Sequence, residues 1–379
     1  MTLMRKQCAT LLTILLVTHA GLAPGAEPRA RDLGIPFDGM PGPLNAITDV
    51  AGVTVGHETI IKDLEEKRAI RTGVTAILPR GQKTLDKPVP AAWFALNGNG
   101  EMTGTTWVEE SGFLEGPVLI TNTHSVGAVH EAAIQWRVEK GTPDASGYWW
   151  SLPVVAETWD GYLNDINGFH VRPGHAHAAL AAARDGPVQE GNVGGGTGMI
   201  CHEFKCGIGT ASRIVAADGI DYAIGVLVQA NYGSRELLRV AGVPVGKHLT
   251  ADTLYSQVAG SFAGMGSIII VVATDAPLFA HQLKRLARRA ALGLARNGSI
   301  ASNGSGDIFI AFSTADATAM LANDDMSPLF GGTVEATEEA IINALVAGRD
   351  MTGQQGRVVK AIDHRQLQEV LRQYGRLAD

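Results

Sequence analysis

The stretch that decides the fold is Gly264-Met265-Gly266-Ser267-Ile268-Ile269-Ile270-Val271-Val272-Ala273-Thr274-Asp275, where glycines and a small hydroxyl residue run straight into β-branched side chains. Branched residues are stiff at χ1 and pack well on a pleated surface, so Ser267 is expected to open a buried strand. Gly266 has no side chain to obstruct attack on its own carbonyl by the Ser267 hydroxyl. An N-to-O acyl shift followed by hydrolysis would make Ser267 a new N-terminus. Its freed α-amine, with an unperturbed pKa of about 7.7 to 8.0, can then serve as a local base. Such a route is required because the strand-turn-helix elbow Gly-x-Ser-x-Gly of many serine hydrolases does not occur in this chain. A glycine-serine pair before a strand is common by itself, so the rest of the sequence has to support it.

The 379 residues are 45% hydrophobic and 18% charged, which is enough apolar material for a large core and excludes a disordered or fibrous chain. Glycine is abundant at 46 residues while aromatics make up only 6%, a balance that suits tight turns and short strands better than a helical bundle. A net charge of −7 argues against a nucleic-acid partner, since neutralising phosphates needs clustered Lys and Arg. At the start, Arg5 and Lys6 precede an apolar run from Cys8 to Val17 and small residues ending at Ala20 or Ala26. That is the pattern of a secretory signal, too short to span a membrane. Residues 1–26 are therefore expected to be removed, giving an exported, periplasmic protein without a membrane anchor. Removal leaves Cys201 and Cys206, in Cys201-His202-Glu203-Phe204-Lys205-Cys206. The spacing is not that of a zinc knuckle, so no metal and no other cofactor is expected; a local disulfide and two small buried residues both remain open.

Other polar groups fall at the ends of apolar runs. Val154-Val155-Ala156 leads into Glu157, a carboxylate at the edge of the core that needs a partner. Tyr222 to Gly233 reads as a buried strand with the amide of Asn231 at its end, and Ser305 and Asp307 sit in a polar turn, 303–307, before the strand Ile308 to Thr314. His124 follows the strand-like Val118-Leu119-Ile120 and reads as structural more readily than as catalytic. The run from Lys62 to Arg68 reads as a solvated loop. Gly191-Asn192-Val193-Gly194-Gly195-Gly196-Thr197-Gly198 lacks the Lys-Ser or Lys-Thr of a phosphate cradle and reads as a tight hairpin beside a pocket. Helices are expected over 126–138, 175–184, 281–296, 334–347 and 365–374. With no repeats and no linker, one compact domain is the simplest account.

Taken in order, Arg29-Ala30-Arg31-Asp32-Leu33-Gly34, Leu44-Asn45-Ala46-Ile47-Thr48-Asp49-Val50, the glycine segment with Cys201-His202-Glu203-Phe204-Lys205, and the blocks down to the C-terminal helix resemble the L-aminopeptidase/D-alanine esterase-amidase family, which includes the β-peptidyl aminopeptidases. The resemblance implies an α+β fold, a four-layer α/β/β/α sandwich of the N-terminal-nucleophile type. It implies autocleavage into an α chain, 27–266, and a β chain, 267–379, which stay together and form homo-oligomers of such pairs. By the same resemblance Ser267 is the nucleophile, Ser305 and Asp307 assist it, Asn231 holds the developing oxyanion, and Glu157 binds the free ammonium of a small peptide, amide or ester. Trp159 stands where some members have a tyrosine. An indole N–H donates but does not accept or titrate, so Trp159 is read as shaping the pocket. Two other readings stay open on the sequence: an acyltransferase, against which the serine speaks because such enzymes typically use threonine, and a non-catalytic exported binding protein whose chain stays intact.

Overall fold

The computed structural model describes residues 28–81, 85, 87–254, 265–316 and 318–377; the leader expected over 1–26 lies outside them. In chain order the strands are β1 (Thr54–Asp63), β2 (Ala69–Leu78), β3 (Val89–Ala95), β4 (Phe113–Leu114), β5 (Val118–Asn122), β6 (Val154–Thr158), β7 (Ile200–Cys201), β8 (Phe204–Lys205), β9 (Ile208–Ala217), β10 (Ile220–Asn231), β11 (Met265–Thr274) and β12 (Gly304–Ser313). The helices are α1 (Thr105–Ser111), α2 (Val126–Lys140), α3 (Pro173–Ala181), α4 (Ala280–Arg296), α5 (Ser327–Val346) and α6 (His364–Gln373).

Two sheets carry the fold. One has four strands in the order β1-β2-β5-β6, the other six in the order β4-β3-β12-β11-β10-β9. Alternation along β11 explains how they stack. Ile269, Val271 and Ala273 face the other sheet and join Ile77, Ile120, Val154 and Ala156 in an apolar layer, while Ile268, Ile270 and Val272 face outward onto Leu283, Leu286 and Ala290 of α4 and Ala340 of α5. On the far side, Val74, Leu119 and Val155 pack on α2 and α3 through Val129, Trp136 and Leu180. The result is the expected α/β/β/α sandwich, in which β-branched strands buried on both faces leave little polarity except at their ends.

Several element boundaries differ from the sequence expectation. Ser267 is the third residue of β11, because parallel pairing with β12 already begins at Met265 opposite Gly304. That pairing also draws Ser305 and Asp307 out of the expected turn and into β12. Backbone bonds from Asn99 N to Ser305 O and from Leu96 N to Asp307 O fasten the other edge. Lys62 and Asp63 belong to the exposed end of β1, with Asp63 meeting the Arg71 guanidinium 2.5 Å away. Helix α5 starts at Ser327, with Pro328 in its first turn, where its missing N–H costs no helical bond.

Candidate active site

A cavity of about 360 Å³ opens at one end of the sandwich, lined by Asn99, Gly100, Glu101, Thr123, Glu157, Trp159, Tyr162, Ile200, Asn231, Gly266, Ser267 and Gly304. Central strands deliver the reactive groups. Ser267 lies opposite Asn231 on β10 and beside Gly306 on β12. The Gly306 N–H donates to Ser267 Oγ at 3.1 Å, so the hydroxyl oxygen is held by a rigid backbone donor rather than by a mobile side chain. Gly266 is at φ +149°, and a Cβ there would come 2.4 Å from the Asn231 carbonyl oxygen; only glycine fits at this peptide.

Asn231 is fixed on both sides of its amide. Its Oδ1 accepts from Ile200 N at 2.9 Å and its Nδ2 donates to Trp159 O at 2.9 Å, which leaves one N–H for the cavity. Ile200 is held in turn by a small hairpin, β7 and β8, whose tip residues His202 and Glu203 both take positive φ, as a type I′ hairpin turn requires. Cys201 and Cys206 are joined by a disulfide across the base of this hairpin. Between them Lys205 is buried and donates to the carbonyls of Met199, Gly196 and Cys206, so the segment is a structural clasp. Glu203, the carboxylate of that cluster, accepts from the backbone N–H groups of Arg235 and Leu254.

Glu157, at the end of β6, is 3% exposed. Its Oε1 accepts from Glu101 N at 3.0 Å and its Oε2 from the Thr123 hydroxyl. Burial pushes its carboxyl above the usual range despite these two donors, with the neighbouring Glu101 charge acting in the same direction. A buried carboxylate whose bonds do not offset its desolvation gains from any cation that reaches it, and Glu157 lines the cavity. His124 is exposed and does not line the cavity, stacked on Phe169 with ring centres 6.1 Å apart. Trp159 and Tyr162 also line the cavity.

Ser305 and Asp307 stand apart from the cavity wall. Strand alternation puts them with Phe309 and Ala311 on the face of β12 toward α4 and α5, whereas Gly306 shares the inner face with Ile308 and Ile310. Ser305 Oγ donates to Asp307 Oδ1 at 2.6 Å, and Asp307 N donates to Asn97 Oδ1 at 2.7 Å. Burial raises the Asp307 carboxyl to about 6, against the opposing pull of the Ser305 hydroxyl and the Ile268 N–H. The pair thus lies on the strand face opposite the Ser267 side chain, with Ser305 in register with Gly266. None of residues 191–198 lines the cavity: Gly194–Gly196 is a buried 3-10 turn, and a Cβ at Gly195 would strike Gln229 Oε1 at 2.1 Å. Asn97, Thr123 and Glu101 are silent in the sequence, since a turn asparagine, a lone threonine and a surface glutamate carry no spacing signal.

The profile of peptidase family S58 matches residues 45–359. A β-peptidyl aminopeptidase, BapA, from Sphingosinicella microcystinivorans is 52% identical over 95% of this chain and 96% of its own. Among solved structures, the L-aminopeptidase D-Ala-esterase/amidase from Ochrobactrum anthropi, described as a prototype for the serine aminopeptidases and a new variant of the Ntn hydrolase fold, superposes with a TM-score of 0.86 at 51% identity, covering 93% of this chain and all of that one. A β-aminopeptidase from Burkholderia sp. gives a TM-score of 0.83 at 50% identity over 92% of this chain and 99% of that one.

Proposed function

The chain belongs to peptidase family S58 and is a hydrolase of aminopeptidase and amidase type, and from that premise we propose that it is an exported enzyme that cuts itself at Gly266–Ser267 and then uses Ser267 to release N-terminal residues. The observation that carries this reading is the single cavity joining the Ser267 hydroxyl, the one spare N–H of Asn231 and the buried Glu157 carboxylate. The substrate's ammonium pairs with Glu157, which sets its carbonyl against Ser267. Oγ adds to that carbonyl and its proton passes to the freed α-amine. Collapse breaks the amide, the leaving amine takes the proton, and water hydrolyses the ester to restore the hydroxyl. Ser305 and Asp307 act on the α-amine from behind the strand, and Trp159 shapes the pocket wall.

The α chain 27–266 and the β chain 267–379 stay associated in this reading, because β11 and β12 are central strands flanked by β3 and β10. Such αβ units are read as homo-oligomers, which sedimentation of the processed protein tests. The Cys201–Cys206 disulfide supports export into an oxidising compartment, the periplasm, following the leader at 1–26. With β-peptidyl and β-aminopeptidase relatives at about half identity, N-terminal β-residues are the favoured substrates. A panel of p-nitroanilides carrying α-L, α-D and β-aminoacyl groups tests this; hydrolysis of the α-L members alone would refute the β preference, and hydrolysis of none by a processed protein would refute the aminopeptidase reading of the site.

Asn231→Ala is expected to lower kcat about 10²- to 10³-fold, the usual cost of losing one oxyanion donor, with KM little changed. Steady-state kinetics on the best anilide checks it. An equal rise in KM alone would instead make Asn231 a ground-state contact.

A further inference from the structure

Lys205, on β8, is fully buried, and no carboxylate pairs with it among the described residues. An ammonium taken out of water without a counter-charge is costly, and a methionine of nearly the same length would fill the space without that penalty. Stability therefore gives no reason for a lysine here. Its three protons have three acceptors, the carbonyls of Met199 at 2.9 Å, Gly196 at 3.4 Å and Cys206. The first of these leads to the cavity. The Met199 carbonyl and the Ile200 N–H are the two ends of one planar peptide unit. At one end Lys205 Nζ donates to the oxygen; at the other the N–H donates to Asn231 Oδ1 at 2.9 Å. Asn231 passes the chain on, since its Nδ2 donates to Trp159 O at 2.9 Å and keeps one N–H for the cavity. The Cys206 N–H also reaches Met199 O, but at 3.3 Å and without a charge. Ammonium, peptide and side-chain amide are thus linked donor to acceptor in one direction. A cation on the carbonyl fixes the peptide plane and strengthens its N–H as a donor, and that N–H does the same for the Asn231 amide.

We propose that Lys205 is a positioning residue for hydrolysis, its ammonium aiming and polarising the Asn231 amide through the Met199–Ile200 peptide. This role rests on the reading of Asn231 as the donor to the developing oxyanion. Lys205 itself does not line the cavity and touches no substrate, so its effect falls on the chemical step and not on capture of the ammonium by Glu157.

The test is steady-state kinetics of the processed Lys205→Met enzyme on the best p-nitroanilide, beside Asn231→Ala and the double variant. The kcat is expected to fall about tenfold with KM little changed, less than the cost of losing the Asn231 donor itself, because the amide remains and only its aim and polarisation are lost. In the Asn231→Ala background the same substitution should lower kcat by less than about twofold. The inhibition constant of pentylamine, which offers Glu157 an ammonium but has no carbonyl, should stay at the wild-type value, whereas a general loosening of the site would raise it. If Lys205→Met does not fold or does not cut itself, Lys205→Gln, which keeps N–H donors and gives up the charge, carries the test with a fall in kcat of about threefold and the same dependence on Asn231. An unchanged kcat in a processed Lys205 variant, an equal loss with and without Asn231, or a weaker pentylamine with a matching rise in KM would each overturn the proposal. If Asn231→Ala alone keeps full kcat, the oxyanion reading of Asn231 fails and the role of Lys205 falls with it.

Discussion

Ser267→Ala is expected to yield one intact polypeptide on denaturing electrophoresis and to abolish hydrolysis, a loss on the order of 10⁶-fold when a serine nucleophile is removed. Two functions should disappear together, because in the proposed route the same oxygen attacks the Gly266 carbonyl in the precursor and the substrate carbonyl afterwards. Folding should survive. Ser267 is buried at a strand position that alanine can occupy without crowding its neighbours, and the substitution deprives the Gly306 N–H of its acceptor while leaving the strand pairing intact. The melting temperature of the variant therefore separates a chemical defect from a structural one. N-terminal sequencing of the smaller wild-type fragment gives the positive control: it should begin Ser-Ile-Ile, whereas Ser-Gly-Asp would move the cut to Gly304–Ser305 and make Ser305 the nucleophile. An active, uncut Ser267→Ala protein would remove self-processing and the nucleophile at once. An uncut wild-type chain that binds but does not hydrolyse would favour the binding-protein reading.

The central strand was legible because its signals are local, whereas the four-layer sandwich came only with the family resemblance. A run of β-branched residues after Ser267 has one physical outcome, and α4 has apolar residues at helical spacing over 280–296. What pairs with what was not local. Parallel pairing of β11 with β12 moved Ser305 and Asp307 from a turn into a strand and, through the period of two, onto the face opposite Ser267. No property of the residues themselves carries that information, since it depends on the register against a strand nearly forty positions away. The site divides the same way. Gly266, Ser267 and Glu157 stand out by type and context, whereas Thr123 and Asn97 matter only because the fold brings them to Glu157 and Asp307. The clasp around Lys205 is a middle case: the two cysteines were visible, but whether they faced each other depended on a hairpin whose tip takes positive φ at two non-glycine residues.

Glu157→Gln is expected to cost about 10²- to 10³-fold in kcat/KM on substrates with a free amine, the scale set by breaking a buried ion pair. The way Glu157 is held without substrate sets this expectation. Two donors, Glu101 N and the Thr123 hydroxyl, are too few to offset its desolvation, and its carboxyl is raised accordingly. A raised carboxyl means that the folded protein disfavours the charged form, so Glu157 costs stability above its unfolded pKa. The unliganded Gln variant should therefore melt no lower than the wild type at pH 8, which separates a binding defect from misfolding. An arriving ammonium reverses the balance by pairing with the charge, so binding strengthens as pH rises through the free carboxyl's pKa. It weakens again as the substrate amine loses its proton, at about 7.7 to 8.0 for an unperturbed α-amine. In the Gln variant the acid-side dependence due to Glu157 should vanish and the alkaline side remain. The penalty should also be selective: substrates whose amine is acylated, poor for the wild type, should lose nothing further. Wild-type kinetics on free-amine anilides would detach Glu157 from ammonium binding and leave the buried carboxylate without a partner to explain it.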